Sequence, residues 1–254
     1  YNAKKDKHAR LDNARALVEH IESHPEKMKY YESKYRTAVN QYLNSCFATS
    51  SFSDFDFYLH KLEQSSKTLN QHFGARNFLI VENLRMNRNF AEEKIKENIE
   101  VIRRFEQQLQ QHEKHLPAES FLALYANAAI SFFYMDAFKD SLVYINKILN
   151  NIKESRSKAV GYIARCLNLL IHFELNNTDL LHYLARTYKS EEHEVVVFVV
   201  LVTELLQEKS WKKNKEIVSK LQQGLNRLKE NKTNAALLND AYIDRWIEKK
   251  LAQV

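Results

Sequence analysis

Paired histidines and carboxylates are where chemistry would first be sought in this chain. His20 and His24 stand one helical turn apart. With Glu19 or Glu22 they could offer a metal ion two imidazoles and a carboxylate; the alternative is a set of exposed polar residues at a frayed helix end. The remaining histidines fit no hydrolytic or metal pattern. A zinc protease needs His-Glu-x-x-His, because one helical turn then brings both rings to one ion. His112-Glu113-Lys114-His115 has the wrong spacing, and His193-Glu194 is followed by no second histidine. A di-iron bundle needs Glu-x-x-His twice, yet none of the 10 histidines has a glutamate three residues before it, and Asp179-x-x-His182 is the nearest approach. There is no phosphate-cradling glycine loop and no glycine-flanked nucleophile. No catalytic residue, metal or cofactor is expected, and the chain reads as a non-enzyme.

Two cysteines, Cys46 and Cys166, lie far apart and form no C-x-x-C. Small apolar residues on buried helix faces are the expectation, in keeping with a reducing, cytoplasmic setting. The longest apolar run, Val195 to Val202, is far short of the roughly 20 residues that a membrane span needs. The chain opens at Tyr1 and not at Met, which is consistent with a missing N-terminal portion or targeting segment. The formal net charge is +6, and from Lys209 to Val254 there are 11 Lys/Arg against 5 Asp/Glu, so the surplus gathers in the last helices. Such a patch could face a nucleic-acid backbone or an acidic partner, or it could be a solvated lysine-rich face. The 14 Phe and 13 Tyr could stack bases, but at helical spacing they are expected mainly in the core.

The elements that must position these groups are all helical. Over 254 residues there are only 3 Gly and 2 Pro, too few for tight β-turns or nucleotide-binding loops, which need glycine for positive φ and close backbone approach. Helical periodicity recurs throughout. Leu11, Ala14, Leu17, Val18 and Ile21 mark a first helix ending near His24-Pro25, and Met28, Tyr31, Tyr35, Val39, Tyr42 and Leu43 a second. Ser50 to Asp54 is a polar connector with Ser53 or Asp54 as N-cap. Helices are expected over 55–72, stopped by Gly74, then 75–88, 90–112, 117–134, and from Asp136 to about Lys153. Further helices follow over 158–175, 178–188, 212–229 and 233–253. Val195 to Val202 has strand-like composition but no partner strand, so it is expected as a helix buried on most sides and running into Leu206.

The pair from Pro117 to about Lys153 resembles the tetratricopeptide repeat, a helix–turn–helix unit. Tyr125 and Phe132 take its first-helix aromatic positions, Ala128 and Ala129 its leucine and small-residue positions, and Ser141 its small contact. Asp136 stands at the turn where glycine is usual, and Phe138, Ile145 and Ile148 complete the pattern. Forty residues on, the phrase returns with His172 for the aromatic, Asn176 for the turn, and Leu169 and Leu181 in the small-residue sites. Residues 117–254 resemble bacterial tetratricopeptide-like proteins of unassigned function. The phrases that carry it are Tyr144-Ile-Asn-Lys-Ile-Leu-Asn150, Ala164-Arg-Cys-Leu-Asn-Leu-Leu-Ile-His-Phe-Glu-Leu-Asn176 and Asp244-Arg-Trp-Ile-Glu248. Residues 1–116 resemble that group only in being helical.

The fold class implied is all-α, antiparallel helix pairs stacked as a tetratricopeptide-like α-solenoid, a single array over 1–254 with a divergent half, 1–116, and a tetratricopeptide-like half, 117–254. The resemblance further implies a non-catalytic protein- or peptide-binding scaffold. Its groove positions fall on Ala126, Ile130, Phe133 and Tyr134 in the better repeat, and on Cys166, Leu170, Phe173 and Glu174 in the weaker one. This mostly apolar set lacks the Lys/Asn clamp for a terminal carboxylate, so a hydrophobic or helical partner segment is expected there, unless the chain's own helices cover the surface. The alternatives are nucleic-acid binding through the basic C-terminal helices and an all-α enzyme with a dispersed site. No membrane association is expected, and the oligomeric state is left open.

Overall fold

The structure, a computed structural model, describes residues 2–65, 71–152, 158–191, 193–208 and 211–253. Residues 66–70 of the helix expected over 55–72, the side chain of Met28, and Lys153 and Lys209 lie outside what it describes. Among the described residues there are thirteen α-helices and no strand. None of these helices is long and apolar enough to cross a membrane. The chain divides into two compact units, Tyr1–Ser120 and Phe121–Val254.

The first unit holds α1 (Asn2–Glu22), α2 (Met28–Thr49), α3 (Phe55–Ser65), α4 (Gln71–Ala91) and α5 (Asn98–Glu113). Pro25 opens a 3-10 turn between α1 and α2, as its missing N–H and fixed φ favour. Each helix packs on the next in the chain, and α2 also packs on α4. The core gathers Val18, Tyr35, Val39, Leu43, Phe55 and Leu62. Asp54, just before α3, accepts from Arg15 at 3.0 Å. Gly74 does not stop a helix; it lies inside α4, which runs on through Phe90. The turn expected near residue 89 falls instead at Glu93.

The second unit holds α6 (Leu122–Tyr134), α7 (Phe138–Asn151), α8 (Lys158–Glu174), α9 (Thr178–Tyr188), α10 (Glu194–Leu206), α11 (Lys215–Glu230), α12 (Lys232–Asp240) and α13 (Ile243–Leu251). Here α6 packs on α7 and α8, α8 on α9 and α10, and α10 on α11 and α12. The valine-rich run is helical, as expected of an unpaired strand-like segment. It buries Val195, Val196, Phe198, Val199, Val200 and Val202. The single helix expected over 233–253 is two helices, because Tyr242 takes left-handed backbone (φ 57) and breaks it.

One reversal recurs. Ser50, Glu93, Asp136 and Asn176 all have positive φ, at intervals of 43, 43 and 40 residues. In each case the next N–H bonds the carbonyl five residues back: Ser51 to Cys46 at 3.1 Å, Lys94 to Asn89 at 2.8 Å, Ala137 to Phe132 at 2.9 Å and Asn177 to His172 at 3.0 Å. This is the helix-terminating arrangement that usually uses glycine. Asp and Asn tolerate the left-handed region better than other residues, which suits positions 136 and 176. The pair α6–α7 closes with its small residues in contact, the Ser141 hydroxyl donating to the Ala129 carbonyl at 2.8 Å.

Two predictions follow from packing and burial. A Cβ on Gly224 in α11 would sit 2.5 Å from the Phe198 ring of α10. An exposed helical Gly→Ala change gains about 1 kcal/mol, whereas Gly224→Ala is expected to lose about 1–2 kcal/mol by overpacking; thermal unfolding gives the sign. His172 is buried, its Nδ1 accepts from Asn177 Nδ2 at 2.9 Å, and burial holds its pKa below the ordinary value. The unfolded chain therefore takes up that proton more readily. The stabilisation is complete above the ordinary histidine range and is lost as pH falls through about 6.5. Denaturant titrations between about pH 7 and about pH 5.5 are expected to show falling stability, with a shallower fall in His172→Phe.

Candidate functional site

The surface implied by the tetratricopeptide resemblance is not an open groove. Ala126, Ile130 and Phe133 on α6 and Cys166 and Leu170 on α8 are all buried. They are core, since α6 buries residues around its whole circumference and α10 packs along α8. Tyr134, Phe173 and Glu174 reach the surface in part, but Tyr242 and α13 engage them. Tyr134 meets Tyr242 with ring centroids 5.0 Å apart, and Phe173 meets Trp246 edge-on at 5.6 Å. Glu174 accepts from Trp246 Nε1 at 2.6 Å and pairs with Lys250 at 2.7 Å. The chain's own last helix thus engages the end of α8, while Tyr134 on α6 meets Tyr242 and stays 42% exposed. A single sequence does not separate an apolar residue that faces a ligand from one that faces a later helix.

The basic C-terminal patch is partly engaged as well. Lys229 pairs with Asp244 at 3.1 Å and Glu248 at 2.8 Å, which raises its pKa, mainly through the hydrogen bond to Glu248. Lys249 pairs with Asp136 at 3.3 Å. These cations brace their own unit. Lys213, Lys215, Lys220 and Lys232 carry no ion pair among the described residues, though Glu216 and Glu230 share their helical neighbourhood.

The metal pattern at the end of α1 is not assembled either. The His20 and His24 rings lie 5.0 Å apart. Glu22 accepts from the Tyr35 hydroxyl and from Lys61, both at 2.6 Å, and Glu19 accepts from Arg15 at 3.0 Å. No group of three or more ligating side chains occurs among the described residues.

What the structure brings together instead is a groove along α1 and α2. A hollow of about 510 Å³ has Leu17, Ile21 and Ala38 as its floor, with His20, His24, Tyr31 and Lys34 at its rim. A second, of about 460 Å³, shares Leu17 and Gln41 with the first and continues past Asn13, Asn40 and Asn44 to Arg10. The contributing residues follow helical steps, Arg10, Asn13, Leu17, His20 and His24 on one side and Lys34, Ala38, Gln41 and Ser45 on the other. Sequence reasoning missed this face because it followed large apolar residues. The available signal was an alternation of amides and hydroxyls with Leu17 and Ile21 along one stripe.

A further hollow of about 350 Å³ opens beside Glu82, Arg104 and Phe78. Glu82 is only 1% exposed. It accepts from Arg85 at 2.9 Å and from Arg104 at 2.6 Å, while Glu63 accepts from Arg85 at 2.6 Å. Two guanidiniums facing two carboxylates are internally neutralised, so this knot ties α3, α4 and α5 together and leaves no charge for a ligand.

The clasp on α13 is directly testable. Trp246→Phe keeps the ring on Phe173 but loses the N–H bond, and about 1 kcal/mol of stability is expected to go with it. Glu174→Gln leaves Lys250 largely enclosed without its counter-charge and is expected to cost about 2–3 kcal/mol. Denaturant unfolding of both single variants and the double variant, with a combined loss below the sum, would show that the two groups act together.

Compared with protein-family models, with curated proteins and with solved structures, the chain matches none.

Proposed function

We propose that this chain is a non-catalytic protein- or peptide-binding module built from divergent tetratricopeptide-like helix pairs. The repeat is supported by the shared left-handed reversal at Ser50, Glu93, Asp136 and Asn176 and by the stepwise packing of α6, α8, α10 and α12. Helix pairs that bury one face against their neighbours leave the other for recognition. The observation that carries the proposal is the groove along α1 and α2, with an apolar floor flanked by amides, two imidazoles and Tyr31. Amphipathic rings beside such a floor suit a protein partner. A cytoplasmic setting goes with this reading, supported by two buried cysteines that stay as free thiols.

A photo-crosslinking amino acid placed at Gln41 in the groove, with the same residue at Lys220 on α11 as control, tests the proposal in cells. The expected outcome is a discrete protein adduct from position 41 that is absent from position 220. No adduct from position 41, or the same pattern from both sites, would count against a binding module that works through this groove.

A further inference from the structure

We propose that the α1–α2 groove takes an acidic amphipathic helix of a partner polypeptide; this rests on the binding-module reading and specifies the partner's chemistry. Two of the large hydrophobic residues exposed among the described residues of the first unit, Leu17 (45%) and Tyr31 (40%), line this face. They are joined by the hollow over Leu17, Ile21 and Ala38, which has room for one or two large side chains. From Arg10 to His24 the α1 edge extends about 20 Å at 1.5 Å per residue. That is the length of a helix of about 14 residues, and a helix laid along two antiparallel helices is how this chain fills such a face elsewhere, α8 packing on both α6 and α7.

Charge decides which helix. The two hollows that form the groove are lined by no carboxylate, in a chain with 32 acidic residues. Lys34 lies over the Tyr31 ring at 5.1 Å and has no ion pair among the described residues. Among the described residues Arg10 pairs with Asp6 alone, the two side chains 72% and 57% exposed, an arrangement worth little against a competing carboxylate. His20 adds an imidazole with no hydrogen bond among the described residues, and the hydrogen bonds of His24 run through Nδ1, to the His20 carbonyl and Ser23. A partner helix with aliphatic residues on one stripe and glutamates flanking it would seat the stripe on Leu17 and Ile21 and bring carboxylates to Lys34 and Arg10.

The test uses the full chain and two fluorescent synthetic helices of about 14 residues. Both carry leucine at i, i+4, i+7 and i+11, one flanked by glutamates and the other by lysines. Anisotropy titrations are expected to give at least about ten-fold tighter binding of the glutamate peptide. Lys34→Glu and Leu17→Asp should each weaken that binding about ten-fold, and about 0.5 M salt should erase the preference between peptides. Both substitutions are at exposed side chains, and unchanged circular dichroism and melting confirm that the variants fold. Equal affinity for the two peptides, no binding of either, or binding indifferent to both substitutions would overturn the proposal. The broader reading fails on a different result, the absence of any adduct from position 41, so an adduct together with indifference to the acidic peptide would overturn the partner's chemistry alone.

Discussion

A helix that must reverse direction without glycine has few ways to do so, and this chain uses one of them repeatedly. Left-handed backbone costs an L-residue about 1–2 kcal/mol, and Ser50, Glu93, Asp136 and Asn176 each adopt it. The return is the bond from the following N–H to the carbonyl five residues back, which satisfies groups that a helix end leaves open. It also fixes the entry of the next helix. Once α6 and α7 are turned in this way, their approach is set by the side chains nearest the turn, and there the Ser141 hydroxyl meets the Ala129 carbonyl. A bulky residue at either position would splay the pair and open the seam that α8 covers. The reversal therefore comes before the packing, and the packing before any surface that could recognise a partner.

The fate of the apolar stripe on α6 and α8 shows how much of a surface a later element can remove. Phe133 and Leu170 are buried, Tyr134 meets Tyr242, and Phe173 and Glu174 are held by α13. The contacts are of mixed kind: ring on ring, an indole N–H on a carboxylate, and an ammonium on the same carboxylate. Apolar burial draws α13 in without directing it; the Glu174 bonds give it a register. Tyr242, in left-handed backbone, makes the corner that lets α13 leave the line of α12 and reach these residues.

Much of this was legible in the residues. Few glycines and unbroken helical periodicity pointed to the all-helical class, and Asp136 and Asn176 were placed at turns because they stood where the repeat pattern has its turn residue. Gly74 misled because glycine inside a helix costs only about 1 kcal/mol, which packing around α4 outweighs. Tyr242 was invisible as a break, since nothing in a tyrosine flanked by apolar residues announces positive φ. The groove along α1 and α2 was illegible for the opposite reason. Asn13, Gln41 and His20 look like ordinary solvated polar residues until both helices are seen to direct them to one cleft.

Among the described residues, some polar groups are already engaged by their own unit, and the side chains of Lys34, Asn13 and Gln41 in the α1–α2 groove are not held by an ion pair or hydrogen bond. Glu82, Glu174, Lys229 and Lys250 all have partners in their own unit, and to use them for recognition a ligand would first have to displace an internal contact. That displacement leaves a largely enclosed charge without its partner, which is the expensive outcome. Lys34, Asn13 and Gln41 face no such competition. A carboxylate or backbone amide arriving there replaces water only, over a floor of Leu17, Ile21 and Ala38 that gains from being covered. The asymmetry is energetic, not geometric: the hollow beside Glu82 is a cavity too, but its charges already neutralise one another, whereas the α1–α2 groove presents cations for which the fold supplies little compensation.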